Sequence, residues 1–229
     1  MHQSTLPCDF ALPAEWEPQS AIMLTWPHAG TDWKPYLPEI TDTYLELADI
    51  ITRYEQLLVA TPDVPATRYQ LKKKLSAEQM SRVLLYEVES NDTWVRDHGP
   101  LTMVLRKKQN TWMVPYRILD FKFNGWGEKQ TFSRDAKVAA FVAKQAGVPR
   151  IQSNLILEGG GIEVDGHGTA IITESCVLND NRNPGVSKAQ CERELKQLLG
   201  LKKIIWLPGI KGRDITDGHT DFYARFARP

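Results

Sequence analysis

The stretch DITDGHTD gathers Asp214, Asp217, His219 and Asp221 within eight residues. An imidazole among carboxylates is suited to moving protons near neutral pH. In extended chain His219 and Asp221 would share one face. Such a pair serves as a general base with an anionic neighbour, as two metal ligands, or as a hydrogen-bonded turn. A second group, NDTWVRDHGP, sets Asp92, Arg96, Asp97 and His98 around Trp94. A carboxylate beside an indole face suits a delocalised cation, although a solvated Arg–Asp pair would leave the same residues. A third, ILEGGGIEVDG, presents Glu158 ahead of Gly159, Gly160 and Gly161. Glycines let a ligand approach the backbone. The stretch lacks the GK[ST] ending and the following helix of a phosphate loop.

If the fold unites these stretches, Asp97, Glu158, Asp217 and Asp221 surround His219. Carboxylates held together disfavour one another's charge, so the working site calls for a cation. It could be a metal ion, or a guanidinium whose planar fork pairs with carboxylates. Asp97, His98, Glu158, His219 and Asp221 are acceptable ligands for zinc or manganese, which keeps a metal-dependent hydrolase open. No HExxH motif accompanies them. The other DGH, Asp165–His167, reads as a hairpin turn of the Asp-Gly kind.

Positioning these residues falls to an alternation of short apolar runs and amphipathic segments. AIMLTW (21–26), QLLVAT (56–61), RVLLYEVE (82–89) and KKIIWLP (202–208) read as strands. PEITDTYLELADIITRY, VPATRYQLKKKLS, SRDAKVAAFVAKQAG and SKAQCERELKQLLGL read as helices. Ser133 and Ser187 are expected as caps and Gly147 as a stop. GPLTMVLRKKQNTWMVPYRI reads as two strands around a polar turn at Lys107–Asn110, and GGGIEVDGHGTAIITE as a hairpin. Trp16, Trp26 and Trp33 are expected mainly in the core. The result is an α/β chain with hairpins inserted, a grouping that returns about every 50–60 residues. With no Pro-, Gly- or Ser-rich linker, residues 1–229 read as a single domain.

Composition narrows the function. Lys plus Arg equals Asp plus Glu, 28 each, and no basic stripe interrupts that balance, so no nucleic-acid partner is expected. Cys8, Cys176 and Cys191 are odd in number and lack CxxC spacing, against a disulfide framework or a cysteine-rich zinc site. No signal-peptide pattern opens the chain and no apolar run nears the ~20 residues of a membrane span, so a cytoplasmic protein without a membrane partner is expected.

The ordered set PAEWEP, TWP, NDTWVRDHGP, EGGG and TDGHTD resembles the agmatine deiminase family, relatives of the peptidylarginine deiminases within the guanidine-modifying superfamily. The resemblance runs from about residue 12 to the last residue. It implies a pentein-type αβ-propeller, five-bladed in the family and here incomplete at the C-terminus. The implied reaction hydrolyses agmatine to N-carbamoylputrescine and ammonia through a Cys thiolate, in putrescine and polyamine biosynthesis, with no cofactor and no metal. Asp97 and Asp221 would grip the guanidinium, His219 would act as general acid and base, and Glu158 would assist. Trp94 and Asp217 would lie against the substrate. The family's nucleophile lies in a Gly-rich HC motif well beyond DGHxD, and that motif is absent from these residues. Cys176, after AIITES, could lie at a pocket rim; Cys191 reads as helix packing. The expectation is a partial deiminase chain, inactive alone, with self-association through an incomplete propeller edge. A guanidinium- or polyamine-binding module without catalysis is the non-enzymatic alternative.

Overall fold

Runs rich in Val, Ile and Leu, bounded by turn residues, form ten strands among the described residues. The computed structural model describes residues 9–106 and 114–227. The strands are β1 (Phe10–Ala11), β2 (Ala21–Thr25), β3 (Gln56–Thr61), β4 (Val83–Glu87) and β5 (Leu101–Leu105). They continue with β6 (Tyr116–Lys122), β7 (Arg150–Ile156), β8 (Ile162–Val164), β9 (Thr169–Thr173) and β10 (Lys203–Leu207). The turn expected at Lys107–Asn110 lies outside the described residues.

The chain divides into two compact units. The smaller combines Pro18–Val95 with Phe132–Asp135. Its sheet, β2–β3–β4, is parallel throughout. Parallel neighbours need crossovers, supplied by the helices Leu37–Ile51 and Val64–Lys74. Asp63 caps the second of these by accepting from the Ala66 N–H. Leu57 and Val59 of the central strand pack with Trp26, Ala48 and Leu71 in this unit's core.

The larger unit takes the described residues of Met1–Glu17, Arg96–Thr131 and Ala136–Pro229. It has two mixed sheets, β1–β5–β6–β7 and β8–β9–β10. The helix Lys188–Leu199 crosses between β9 and β10, which pair in parallel. Ser187 and Gln190 cap it reciprocally, as the S-x-x-Q spacing dictates. Gly200 stops it at φ 69°, where a Cβ would stand 2.4 Å from the Phe10 carbonyl oxygen. Cys191, Leu195 and Leu199 face a core shared with Ala170, Ile172 and Met103.

Some local expectations are corrected. Ser133 does not cap its helix, which begins at Val138 behind a 3-10 turn at Asp135–Lys137. Gly147 does end it, at φ 62°. The β8–β9 hairpin turns without a paired type I′ geometry: the Asp165 carboxylate accepts from the His167 and Thr169 N–H groups and organises the loop itself. Trp26 is buried, Trp33 half-buried and Trp16 exposed.

Candidate active site

Every ionisable residue expected in the site lies in the larger unit, carried on connections between strands. Asp97 sits in the short helical turn Val95–His98 ahead of β5. Glu158 follows β7, just before the 3-10 turn Gly159–Gly161. His219 and Asp221 end the loop that leaves β10. That loop is tied down by Ser175 Oγ donating to the Asp217 carbonyl at 2.6 Å and by Thr220 Oγ donating to the Gly161 carbonyl at 3.0 Å. His219 and Asp221 are not in extended chain: His219 precedes a 3-10 turn at Thr220–Phe222.

The glycine turn makes their convergence possible. A Cβ at Gly160 would lie 2.6 Å from His219 Nδ1, 2.7 Å from Asp97 Oδ1 and 2.9 Å from Asp221 Oδ2. The lack of a side chain lets an imidazole nitrogen and two carboxylate oxygens crowd into a notch against the Gly160 backbone. The Gly160 N–H donates to Asp97 Oδ1 at 3.0 Å, and Trp126 Nε1 donates to Asp97 Oδ2 at 2.9 Å. Asp221 Oδ1 is a buried oxygen with no hydrogen-bond partner among the described residues. A buried carboxylate oxygen in that state is a place for a donor to arrive. Its other oxygen has Arg96 Nε at 3.5 Å.

The opposite edge of His219 is filled. Its Nε2 stands 3.3 Å from Glu158 Oε2, and the Cys176 thiol donates to the same oxygen at 3.6 Å. Arg182, wholly buried, donates through Nε to both Glu158 oxygens at 2.9 and 3.1 Å. Its Nη1 reaches Asp217 Oδ2 at 2.8 Å and Asn181 Oδ1 at 3.2 Å, and its Nη2 reaches the Thr216 carbonyl at 2.9 Å. Asp217 Oδ2 also accepts from Asn181 and Lys129, and Oδ1 accepts from the Gly212 N–H.

Charge follows this arrangement. Burial would lower the His219 pKa, but the bond to Glu158 and the charges of Asp97, Glu158 and Asp221 outweigh it and raise the value. Burial pushes Asp97 up, beyond what the His219 charge and the Trp126 bond restore. Burial also opposes the Glu158 charge, yet His219 and Arg182 bring its pKa below the ordinary range. Asp217 is lowered likewise: burial is overcome by Asn181, Lys129 and Arg182. Burial, then the Glu158 charge, push the Cys176 thiol well up, and burial pushes Cys191 up to about 12.

Glu158, Cys176 and His219 each offer one atom within 4.8 Å of the others, enough to consider an ion. The contacts already account for that closeness. An ion there would have to expel the thiol proton and share Glu158 with a buried guanidinium. His98, another expected ligand, packs its ring against Phe123 at 5.9 Å.

Over residues 11–229 the sequence matches the family described as Porphyromonas-type peptidyl-arginine deiminase. The chain belongs to this deiminase family. It is 37% identical to the agmatine deiminase of Medicago truncatula, over 100% of this chain and 62% of that protein. With the agmatine deiminase of Pseudomonas putida it shares 36% identity, over 96% of this chain and 58% of that one. A solved C. jejuni agmatine deiminase with substrate bound superposes with a TM-score of 0.84 at 33% identity, covering 100% of this chain and 64% of that chain. The Enterococcus faecalis agmatine deiminase does so at 0.83 and 29%, covering 96% and 59%. The chain thus spans about three-fifths of the length of these curated relatives. Its mixed α/β fold is that of the agmatine deiminase structures, as the motifs implied.

Set against the expectations, this deiminase-family chain brings Asp97, Glu158, His219 and Asp221 together. Asp217 is close behind them, where its oxygens accept from Arg182, Asn181, Lys129 and Gly212. Trp94 belongs to the smaller unit, where its indole lies 6.0 Å from Trp33 and is 47% exposed. Cys176 is in the core rather than at a rim, because its short helix Glu174–Val177 turns it inward onto Glu158. Cys8 lies outside the described residues. Arg182 and Trp126 were not singled out in the sequence. The signal for the first was charge accounting, since four clustered carboxylates require a cation and the chain itself supplies one. No helix among the described residues is long and apolar enough to cross a membrane.

Proposed function

We propose that these residues form the guanidinium-binding and proton-handling part of an agmatine deiminase, which hydrolyses agmatine to N-carbamoylputrescine and ammonia. The observation that carries this reading is the notch at Gly160, where His219 Nδ1, Asp97 Oδ1 and Asp221 Oδ2 converge. Two carboxylates on one point match the plane and charge of a guanidinium, and hold its carbon at a fixed distance from an attacking group. His219, held through Nε2 by Glu158, turns Nδ1 toward that point.

In the proposed reaction a cysteine thiolate adds to the guanidinium carbon. The C–N bond to a terminal nitrogen breaks, and ammonia leaves with a proton from His219. Water then attacks the thiouronium carbon while His219 takes its proton, and C–S cleavage returns the thiolate and releases the ureido product. Glu158 acts through the imidazole, because Arg182 and His219 already occupy its oxygens. Asp217 acts one step further back, by holding Arg182. The αβ elements are read as belonging to a five-bladed propeller of the family's kind.

Neither described cysteine suits the nucleophile's role. Cys176 keeps its proton toward Glu158, and Cys191 is packed in a helix. The 229 residues alone should therefore bind agmatine without turning it over. Calorimetry with agmatine and a colorimetric ureido assay on the folded chain test both halves. Saturable binding without product is expected. Failure to bind would overturn the reading, and product would overturn the exclusion of these cysteines.

A further inference from the structure

The segment Asn124–Glu128 was not used by any motif, yet it is the most strained stretch of the described backbone. Gly125, Trp126, Gly127 and Glu128 follow one another at φ 66°, 58°, 83° and 63°. Positive φ is costly for residues with a Cβ, and the cost is greater for a bulky side chain. Among the described residues only Trp126, Glu128 and Asp217 adopt it without being glycine. All the same, Trp126 is buried.

The surroundings fix this arch firmly. The Asn124 side chain accepts from the Gly127 N–H at 2.9 Å and donates to the Asn181 carbonyl at 2.9 Å. A Cβ at Gly127 would stand 2.2 Å from Asn181 Nδ2, so only glycine lets that side chain pass beneath the arch to Asp217. Phe123 meets the Trp126 ring edge-on, with centroids 5.1 Å apart. The strained backbone therefore delivers one polar atom, Trp126 Nε1, to one acceptor, Asp97 Oδ2. Strain retained by such a frame points to a functional constraint.

We propose that Trp126 is a positioning residue for Asp97: its indole N–H fixes the plane of the carboxylate, so that Oδ1 faces the notch at Gly160. The assignment rests on the guanidinium-binding reading for its purpose, but not for its geometry. Asp97 faces His219 at 3.6 Å, the Glu158 charge, Asp221 across the notch and the Gly160 N–H. Of its neighbours, Trp126 Nε1 donates to the oxygen that Gly160 does not. Removing a donor from a buried carboxylate disfavours its charge, so the pKa moves up. A guanidinium would then lose its anionic partner at a higher pH.

The test follows the indole N–H signals of the 229-residue chain by NMR across pH, with Trp126→Phe assigning the signal and Asp97→Asn removing the acceptor. The Trp126 signal should lie at a hydrogen-bonded shift, move with a carboxylate titration, and lose that movement in Asp97→Asn. Agmatine affinity should fall at a higher pH in Trp126→Phe than in the parent chain, about tenfold weaker on the acid limb. An indole signal indifferent to Asp97→Asn would overturn the assignment, as would an unchanged acid limb in folded Trp126→Phe. If Trp126→Phe does not fold, the Asp97→Asn comparison still decides. Should the indole follow Asp97 while agmatine fails to bind the parent chain, the positioning role stands and the deiminase reading falls.

Discussion

The two edges of the His219 ring differ in how completely they are paired. At Nε2, Glu158 meets the imidazole, the Cys176 thiol and a wholly buried Arg182, which continues to Asp217. At Nδ1, Asp97 and Asp221 converge on Gly160, which has no side chain to keep them apart, and Asp221 Oδ1 is unpartnered among the described residues. A cluster that binds a cation must solve two problems, holding its anions in place and leaving some of them to the ligand. In the proposed reading the first task falls to the Nε2 side and the second to the Nδ1 side. Substitutions on the two sides should therefore fail differently.

The largest effect is expected behind the ring. Arg182→Met would strand Glu158 and Asp217 as buried anions, with a loss of about 3–5 kcal/mol of folding stability. Glu158→Gln in the same chain should recover part of it. Urea unfolding measures both, and a loss under about 1 kcal/mol for the single variant would erase the distinction between the two edges. In front of the ring, Asp97→Ala should weaken agmatine binding about a hundredfold while costing less stability than Arg182→Met, since truncating one partner of a buried charged contact costs about 2–5 kcal/mol of binding. Calorimetry that shows equal affinity would place the cation elsewhere.

A smaller effect separates the edges by pH. His219 has a folded pKa above its ordinary 6.5. Its stabilising contribution is therefore full below that ordinary value and fades as pH rises through the raised one. Stability measured at steps from pH 6 to 9 should decline more in the parent than in His219→Gln. Matching slopes would mean that the surrounding anions do not hold the imidazolium. Smallest is the expected effect at Cys176: in the folded chain iodoacetamide should leave it unmodified by peptide mass spectrometry, because the thiol is buried and proton-bearing. Rapid alkylation would reopen it as a nucleophile.

The acidic residues around the His219 ring were largely legible in the sequence, and what lies behind Glu158 at the Nε2 edge was not. Asp97, Glu158, His219 and Asp221 stand in short stretches where polar residues follow apolar strands, and such stretches carry chemistry. The expectation that His219 and Asp221 share an extended face was wrong in form. A 3-10 turn carries Asp221 to the notch instead, and two-residue periodicity could not reveal it. Arg182 sits in NDNRNPG, which reads as a polar turn; its burial comes from Glu158 and Asp217, 24 and 35 residues away. The tie between Asp217 and Arg182 was hidden for the same reason, because the two are remote in sequence. For Trp126, the pairs Asn-Gly and Trp-Gly signalled a turn but not its target. Of the strands, β2, β3 and β10 stand where apolar runs placed them, because local pattern decides strand formation in a buried sheet.

The most direct test of the guanidinium seat is an NMR titration of the folded 229-residue chain with agmatine, following the His219 imidazole and the Gly160 amide. Saturable shifts of both, lost together in Asp97→Ala, are the expected result. If agmatine binds while both signals stay still, or shifts neither in a folded chain, the cation does not seat at the Nδ1 edge and the account is wrong.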